Sequence, residues 1–191
     1  MNEILYKYRS LDNFKNFVDI ILKNRLYSAR YKDLNDPMEG QYYYKHGELN
    51  HSIREKIRNG KGELRICSLT KVRNNELMWS HYANGQTGVA IGVRIVDSEH
   101  NIQPVQYNGI TYIRNHDYND QSAREILCHK LDVWSYEQEM RVFTINKQYV
   151  DIEVVEIITG RRMNTRDISL VTELIEKINS GIRIIRAEEI M

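Results

Sequence analysis

Apolar and polar residues alternate along several short stretches of the chain, and other stretches repeat their apolar residues every three or four positions. Alternation predicts β-strands, whereas the longer spacing predicts helices with one apolar face. Strands are expected at ILYKYR, RLYSA, ELRICSLTK, TGVAIGVRI, IEVVEIITG and GIRIIRA, with PVQYN and GITYI as two further candidates.

Helices are expected between these strands. Ser10 or Asp12 can cap the first helix, whose apolar residues run from Phe14 to Leu22 at helical spacing. A weaker helix is predicted from Gly47 to Arg58. Three more are predicted at NNELMWSHYANG, which Gly85 can end, at residues 122–131, which open with the capping box SARE, and from Thr165 onwards.

The stretch WSYEQEMRVF, residues 134–143, combines a strand-like pattern with two acids. As a strand it would place Trp134 and Tyr136 on one face, and Glu137, Glu139 and Arg141 on the other. Glutamate is a poor strand former, so this face is either solvated, with the arginine offsetting the acids, or the paired carboxylates serve chemistry.

The order of the elements predicts the fold class. Strands cluster in the middle of the chain, helices are scattered, and no regular βαβ rhythm occurs. The chain has two prolines and shows no linker, repeat or low-complexity tract. These features predict an α+β fold with mostly antiparallel, split sheets and four to five helices, in a single domain over residues 1–191.

Composition narrows the classes of function. The 27 Lys and Arg residues nearly balance the 26 Asp and Glu residues, which argues against a broad nucleic-acid surface but leaves room for a local basic groove. Two isolated cysteines, Cys67 and Cys128, and the lack of a long apolar run predict a cytoplasmic protein without membrane contact. Thirteen tyrosines against three phenylalanines indicate partly solvated aromatic positions in a cleft.

Strong catalytic signatures are missing: the sequence has no phosphate loop, dinucleotide-binding glycine motif, zinc-protease motif or nucleophile elbow. His81, in the helix with Trp79 and Tyr82, is either a functional base or a packed side chain. Arg9 offers a donor fork for a phosphate or carboxylate, or pairs with an internal acid such as Asp36 or Glu39. Those two acids favour a plain turn, and no metal is predicted.

Five stretches taken in order, LYKYRSLDNF, LYSARYKDLNDPMEG, RICSLTK, LMWSHYANGQTGVAIGV and VWSYEQEMRVF, resemble successive signatures of the bacterial family catalogued as domain of unknown function 2971. The resemblance spans about residues 5 to 180. The family carries no established reaction, so it implies a fold and leaves function to be argued.

More distantly, the chain resembles ADP-ribosyltransferases, which carry a strand-borne Arg, a Ser-Thr-Ser-like strand and a Glu-x-Glu strand in that order. Arg9, Ser68-Leu69-Thr70 and Glu137-Gln138-Glu139 follow the same order, although Leu69 and Thr70 depart from the middle motif. The resemblance implies that NAD is a substrate. Arg9 would hold its phosphate or ribose, Ser68 and Thr70 would shape the nicotinamide side, Glu139 would bind the ribose hydroxyl, and Glu137 would activate the acceptor.

Aromatic residues could enclose the nicotinamide ring in that scheme. The candidates are Tyr8, Trp79, Tyr82 and Tyr136, each with core packing as its alternative, while Tyr8 or Lys7 could replace Arg9. The activity implied is an ADP-ribosyltransferase-like enzyme of toxin or phage-defence type. The acceptor stays open among protein, nucleic acid and small molecule, as does the oligomeric state.

Two other functions fit the same residues. A non-catalytic stress or defence module would use the tyrosine-rich cleft to hold a nucleotide or a partner. A hydrolase or nuclease would use His81, His129 and the two glutamates.

Overall fold

A computed structural model describes residues 3–96 and 101–190, which form two compact units. The first unit contains the described residues of 1–26, 69–99 and 150–191. The second contains those of 27–68 and 100–149. The single domain over residues 1–191 stays a prediction.

The described residues form nine strands: β1 (Leu5–Arg9), β2 (Arg25–Tyr27), β3 (Ala29–Arg30), β4 (Leu64–Thr70), β5 (Val89–Ile95), β6 (Asn101–Pro104), β7 (Glu139–Ile145), β8 (Tyr149–Thr159) and β9 (Arg183–Arg186). Their five α-helices are α1 (Phe14–Lys23), α2 (His51–Glu63), α3 (Glu76–Tyr82), α4 (Ser122–Ile126) and α5 (Thr165–Ile178). Short 3-10 turns cover Tyr31–Asp33, Asn115–Asp117, Asp132–Glu137 and Ala187–Glu189.

Most strand pairs are antiparallel. The pairs β1–β4, β1–β5, β3–β4, β5–β8 and β6–β7 run antiparallel, whereas β8 and β9 run parallel. The predicted α+β class with a mostly antiparallel sheet is therefore confirmed.

The first unit is built around β5, whose buried, nearly continuous apolar sequence is typical of a central strand. β1 pairs with one edge of β5 and β8 with the other. β1 also pairs with β4, where Tyr6 lies opposite Thr70. Helix α3 packs against β1, and α1 packs against α5 through their apolar faces.

The second unit places β7 between β4 and β6, and β3 pairs with β4. Helices α2 and α4 pack together. Two clusters of buried side chains form its core: Leu64, Ile66, Leu127, Cys128 and Phe143 in one, and Leu49, Ile57, Ile113 and Ile126 in the other.

The stretch WSYEQEMRVF is only partly a strand. A 3-10 turn covers Asp132–Glu137, Gln138 adopts a left-handed conformation with φ +42°, and β7 begins at Glu139. The predicted strand is therefore wrong before Glu139. Local alternation missed this because the pattern is equally compatible with a tight turn that leads into a shorter strand.

Several predicted boundaries also shift. The predicted cap of α1 by Ser10 or Asp12 is wrong: the N-cap residue is Asn13, which makes no side-chain cap, and the Ser10 hydroxyl accepts from the backbone N–H of Asp12. Helix α4 ends at Ile126, five residues earlier than predicted. The stretches PVQYN and GITYI contribute mainly isolated bridges at Gln106 and Tyr112.

None of the helices in the described residues is long and apolar enough to cross a membrane.

Candidate functional site

Arg141 lies at the centre of a buried group of charges in the second unit. Its fully buried guanidinium donates to both carboxylate oxygens of Glu39, at 2.6 and 2.8 Å, and to both of Glu139, at 2.9 and 3.1 Å. It also donates to the backbone carbonyl of Leu127. The planar donor fork of arginine suits this double carboxylate contact.

Lys130 is the second buried cation of this group. Its Nζ lies 2.6 Å from the Glu137 carboxylate, 3.2 Å from that of Glu139 and 4.0 Å from that of Glu39. The buried ion network, as we name it, consists of Glu39, Lys130, Glu137, Glu139 and Arg141. When all five are ionised, two cations meet three carboxylates, so one negative charge is in excess.

The conformation around Gln138 brings both neighbouring glutamates inward. Glu137 and Glu139 are only 4% and 5% exposed, whereas Gln138 between them is exposed. The backbone N–H of Glu139 donates to the Tyr107 hydroxyl at 2.7 Å, which fixes the start of β7. The interpretation of these acids as a solvated strand face is therefore wrong.

Electrostatics set the charge state of the network. Burial by itself would raise the pKa of Glu139. The positive charges of Arg141 and Lys130 and the hydrogen bonds from Arg141 and Ser68 outweigh burial, and the pKa is lowered to about 2. For Glu39, burial outweighs the hydrogen bond and attraction of Arg141, so its pKa is raised. Glu139 therefore holds a fixed negative charge at neutral pH, and Glu39 takes up a proton before Glu139 as the pH falls.

Ser68 connects the middle motif to the Glu-Gln-Glu motif. Its hydroxyl hydrogen-bonds the Glu139 carboxylate, and β4, which carries it, lies beside β7. Two of the three stretches predicted to act together thus meet within the second unit. Thr70, two residues further along β4, is buried in the first unit, where its hydroxyl accepts from the backbone N–H of Val72 at 2.9 Å.

The predicted aromatic residues of the first unit pack against each other. Tyr8 is buried and donates through its hydroxyl to the backbone carbonyl of Val72, and its ring meets that of Trp79 edge to face at 5.0 Å. The indole N–H of Trp79 donates to the Asn74 side chain at 2.7 Å. Both rings belong to the core, and a role for them at NAD stays a prediction.

The remaining predicted residues of that unit are more accessible. Arg9 is half-buried at the end of β1, opposite Val89 of β5. His81 is exposed and Tyr82 half-buried, with their rings edge to face at 6.2 Å. His129, named for the hydrolase alternative, belongs to the second unit, where its Nδ1 lies 2.8 Å from the Asn108 side-chain oxygen.

A separate buried acid, Glu156, lies in the first unit. It accepts from the Tyr6 hydroxyl at 2.9 Å and forms ion pairs with Arg73 at 3.0 Å and Arg183 at 2.7 Å. Burial and the contact with Glu156 raise the pKa of Tyr6 to about 12. The two arginines are partly exposed, whereas Glu156 is buried, so the arginine side chains lie between the acid and the solvent.

The plain turn predicted for Asp36 and Glu39 holds for the Asp36 side chain but not for that of Glu39. The Asp36 carboxylate accepts from the backbone N–H of Met38 at 2.9 Å, which closes a turn within the Asp-Pro loop. Glu39 ends the loop and pairs with Arg141. Within the described residues, no group of three or more His, Cys, Asp and Glu side chains has the arrangement of a metal site.

Sequence reasoning missed Lys130 and underrated Glu39 and Arg141. Nothing around Lys130 in the sequence distinguishes it from an exposed lysine. The Glu39-Gly40 pair offered a weak signal, because Gly40 has φ +70° and its carbonyl accepts from buried Lys61 at 2.7 Å. A loop that ends in such a glycine is held to a fixed path.

Comparison with known proteins agrees with the family resemblance. Residues 78–142 match the family model described as "Protein of unknown function (DUF2971)". The matched segment contains α3 from Met78 onwards and four of the five residues of the buried ion network. No curated protein and no solved structure matches the chain.

Proposed function

We propose that this protein, whose residues 78–142 match the DUF2971 family, is an ADP-ribosyltransferase-like enzyme that consumes NAD, with Glu139 as the carboxylate that stabilises the ribosyl cation. The observation that carries the proposal is the hydrogen bond between Ser68 and Glu139, because it joins the Ser-Leu-Thr and Glu-Gln-Glu stretches.

The charge state of Glu139 fits this chemistry. Cleavage of the bond between nicotinamide and ribose builds positive charge on the sugar, and a fixed carboxylate stabilises that charge. The low pKa keeps Glu139 ionised, and Ser68, Lys130 and Arg141 hold it in one orientation. The excess negative charge of the network would favour a developing cation further.

The other residues take the roles implied by the resemblance. Glu137, also held by Lys130, would orient or activate the acceptor. Arg9 would bind a phosphate or ribose of NAD, and His81 and Tyr82 offer accessible rings on α3. We propose an effector of toxin or phage-defence type, with the acceptor left open.

Nicotinamide release tests the activity. The purified protein is incubated with NAD, with and without a cell lysate, and nicotinamide is measured by liquid chromatography. Glu139→Gln is expected to reduce release by about 10²- to 10³-fold, the usual effect of losing one preorganised electrostatic contact. Glu125→Gln, an exposed acid of the same unit, is the surface control.

A second control separates catalysis from support of the fold. Glu39→Gln removes an acid that contacts Arg141 as closely as Glu139 does, but that lies outside the Glu-Gln-Glu motif. Catalysis by Glu139 predicts that Glu139→Gln is far more damaging than Glu39→Gln at equal folded fraction. Absence of nicotinamide release by the folded wild-type protein would refute the activity.

A second candidate function is a non-catalytic nucleotide- or partner-binding module. It is favoured by one observation: Arg141 already bonds both oxygens of Glu139. For such a module, Glu139→Gln lowers stability and leaves binding of the ligand unchanged. Calorimetric titration with NAD, together with the release assay, separates binding without turnover from catalysis.

A further inference from the structure

A basic cavity of about 570 Å³ lies in the second unit, and the network described above does not use it. Its volume falls within the range of small-molecule sites, which is about 300–1,000 Å³. Its lining includes three cationic, one aromatic and two amide side chains: Arg30, Lys32, Arg65, Tyr31, Asn146 and Gln148.

The cavity contains a like-charge pair fixed by strand register. Arg30 of β3 lies directly opposite Arg65 of β4. Side chains at such positions project to the same face with their Cβ atoms about 5 Å apart, and like charges there destabilise a sheet. An anion bound between the two guanidinium groups would offset this electrostatic repulsion.

No acid neutralises this pair in the described part of the chain. Among residues 3–96 and 101–190, no carboxylate lies within 4.0 Å of the cationic atoms of Arg30, Lys32 or Arg65. The cavity wall also includes Glu63, so its formal charge is two positive. The same unit neutralises Lys130 and Arg141 fully, so its acids are placed selectively and this cavity is left basic.

The remaining walls suit a base and its sugar. Tyr31 supplies an aromatic wall, and Asn146 and Gln148 supply amide donors and acceptors. Arg65 is oriented by donation to the Ser28 backbone carbonyl at 3.3 Å. Because Arg65 and Ser68 are three residues apart on one strand, they project to opposite faces of β4, away from each other.

We infer that this cavity is a binding site for a nucleoside phosphate, free or within a single strand of nucleic acid, with the phosphate between Arg30 and Arg65. The site goes beyond the proposed NAD chemistry and is independent of Glu139. Lys32 adds a third positive charge at the phosphate, and Tyr31 packs against the base.

Binding is measured with three probes on the intact chain: inorganic phosphate, uridine 5′-diphosphate and a fluorescein-labelled oligouridylate. Arg30→Gln/Lys32→Gln is expected to weaken the binding of uridine diphosphate or oligouridylate at least about tenfold, because charge-assisted contacts to phosphate are lost. The matched control, Lys45→Gln/Arg58→Gln, loses the same charge at exposed positions of the same unit and should bind like wild type.

Two further variants sharpen the test. Arg65→Lys keeps the charge but loses the donor fork, so it should also weaken binding. Glu139→Gln should bind as wild type does, whether or not the protein consumes NAD. For the oligouridylate, each lost phosphate contact should lower the slope of affinity against salt by about 0.7.

The outcomes separate clearly. Tighter binding of oligouridylate than of uridine diphosphate identifies a strand, and the reverse identifies a free nucleotide. Either result supports the site when Arg30→Gln/Lys32→Gln weakens that binding at least about tenfold. Equal weakening by the control double variant, binding of phosphate as tight as that of uridine diphosphate, or no binding of any probe overturns the inference.

Discussion

Replacing Arg141 by Met should be among the most damaging single changes in the second unit. The variant keeps side-chain volume but leaves Glu39 and Glu139 buried with only Lys130 as a cation. Breaking a buried pair by removing one partner costs about 3–5 kcal/mol, because an uncompensated charge stays buried. The unfolding free energy of a protein of this size is typically about 5–15 kcal/mol, so it should fall by about a fifth or more.

Urea unfolding followed by circular dichroism and by tryptophan fluorescence measures this loss. Trp134 reports on the second unit, since the Lys130 Nζ lies 5.2 Å from its ring centre, and Trp79 reports on the first. In a thermal melt of the same variant, the melting temperature should fall by about 6–20 °C, since a loss of about 1 kcal/mol lowers it by about 2–4 °C. The matched control is Arg94→Met, which breaks a partly exposed pair with Glu153 and should cost about 1 kcal/mol or less.

Two results would refute this reasoning. One is an Arg141→Met variant that is no less stable than Arg94→Met. The other is a double variant, Arg141→Met/Glu139→Gln, that is no more stable than Arg141→Met alone, since neutralising one stranded carboxylate should recover part of the loss.

Single contacts lead to three more predictions. Folding lowers the pKa of Glu139 from 4.5 to about 2, so its ionised form stabilises the protein above about pH 4.5. That stabilisation is lost as the pH falls towards about 2. The urea midpoint of the wild type should therefore decline more steeply in acid than that of Glu139→Gln. Gly88→Ala should lower the unfolding free energy by about 1–3 kcal/mol, because the new Cβ would lie 2.2 Å from the backbone carbonyl oxygen of Arg9. In the control variant Gly62→Ala, in α2, the new Cβ meets nothing within 4 Å, so the same urea assay should show a neutral or slightly stabilising effect. Burial raises the pKa of Cys128 from 9.0 to about 11, so a thiol-reactive disulfide at pH 8 should label it about a hundredfold more slowly in the native than in the unfolded chain; comparable rates would contradict its burial.

Elements with strong periodicity could be predicted from the sequence. β1, β4, β5 and β8 follow their apolar patterns, because each buries residues that the local sequence already marks as apolar. Helix α5 follows from the apolar spacing after Thr165 and is capped by Asn164, whose side chain accepts from the backbone N–H of Asp167. Burial against neighbours agrees with local preference in these elements.

The buried ion network depends on contacts that a local pattern does not contain. Lys130 and Arg141 are residue types normally found at the surface. Here they are buried beside Glu137 and Glu139, which are close in sequence, and beside Glu39, which comes from a distant loop. Glu39 joins the network through a loop whose acids look like turn residues in the sequence. The Glu-Gln-Glu motif could be found in the sequence. The side chains that contact it, and the start of β7 at Glu139, depend on tertiary structure.

The interleaving of the two units in the sequence sets an order for folding during synthesis. All described residues of the second unit have been translated by residue 149, whereas β8 and α5 of the first unit follow later. Until then β5, an almost wholly apolar strand, has β1 on one edge and an open edge on the other. A released chain truncated after residue 149 should therefore present an unpaired apolar strand edge to chaperones, although it contains every described residue of the second unit.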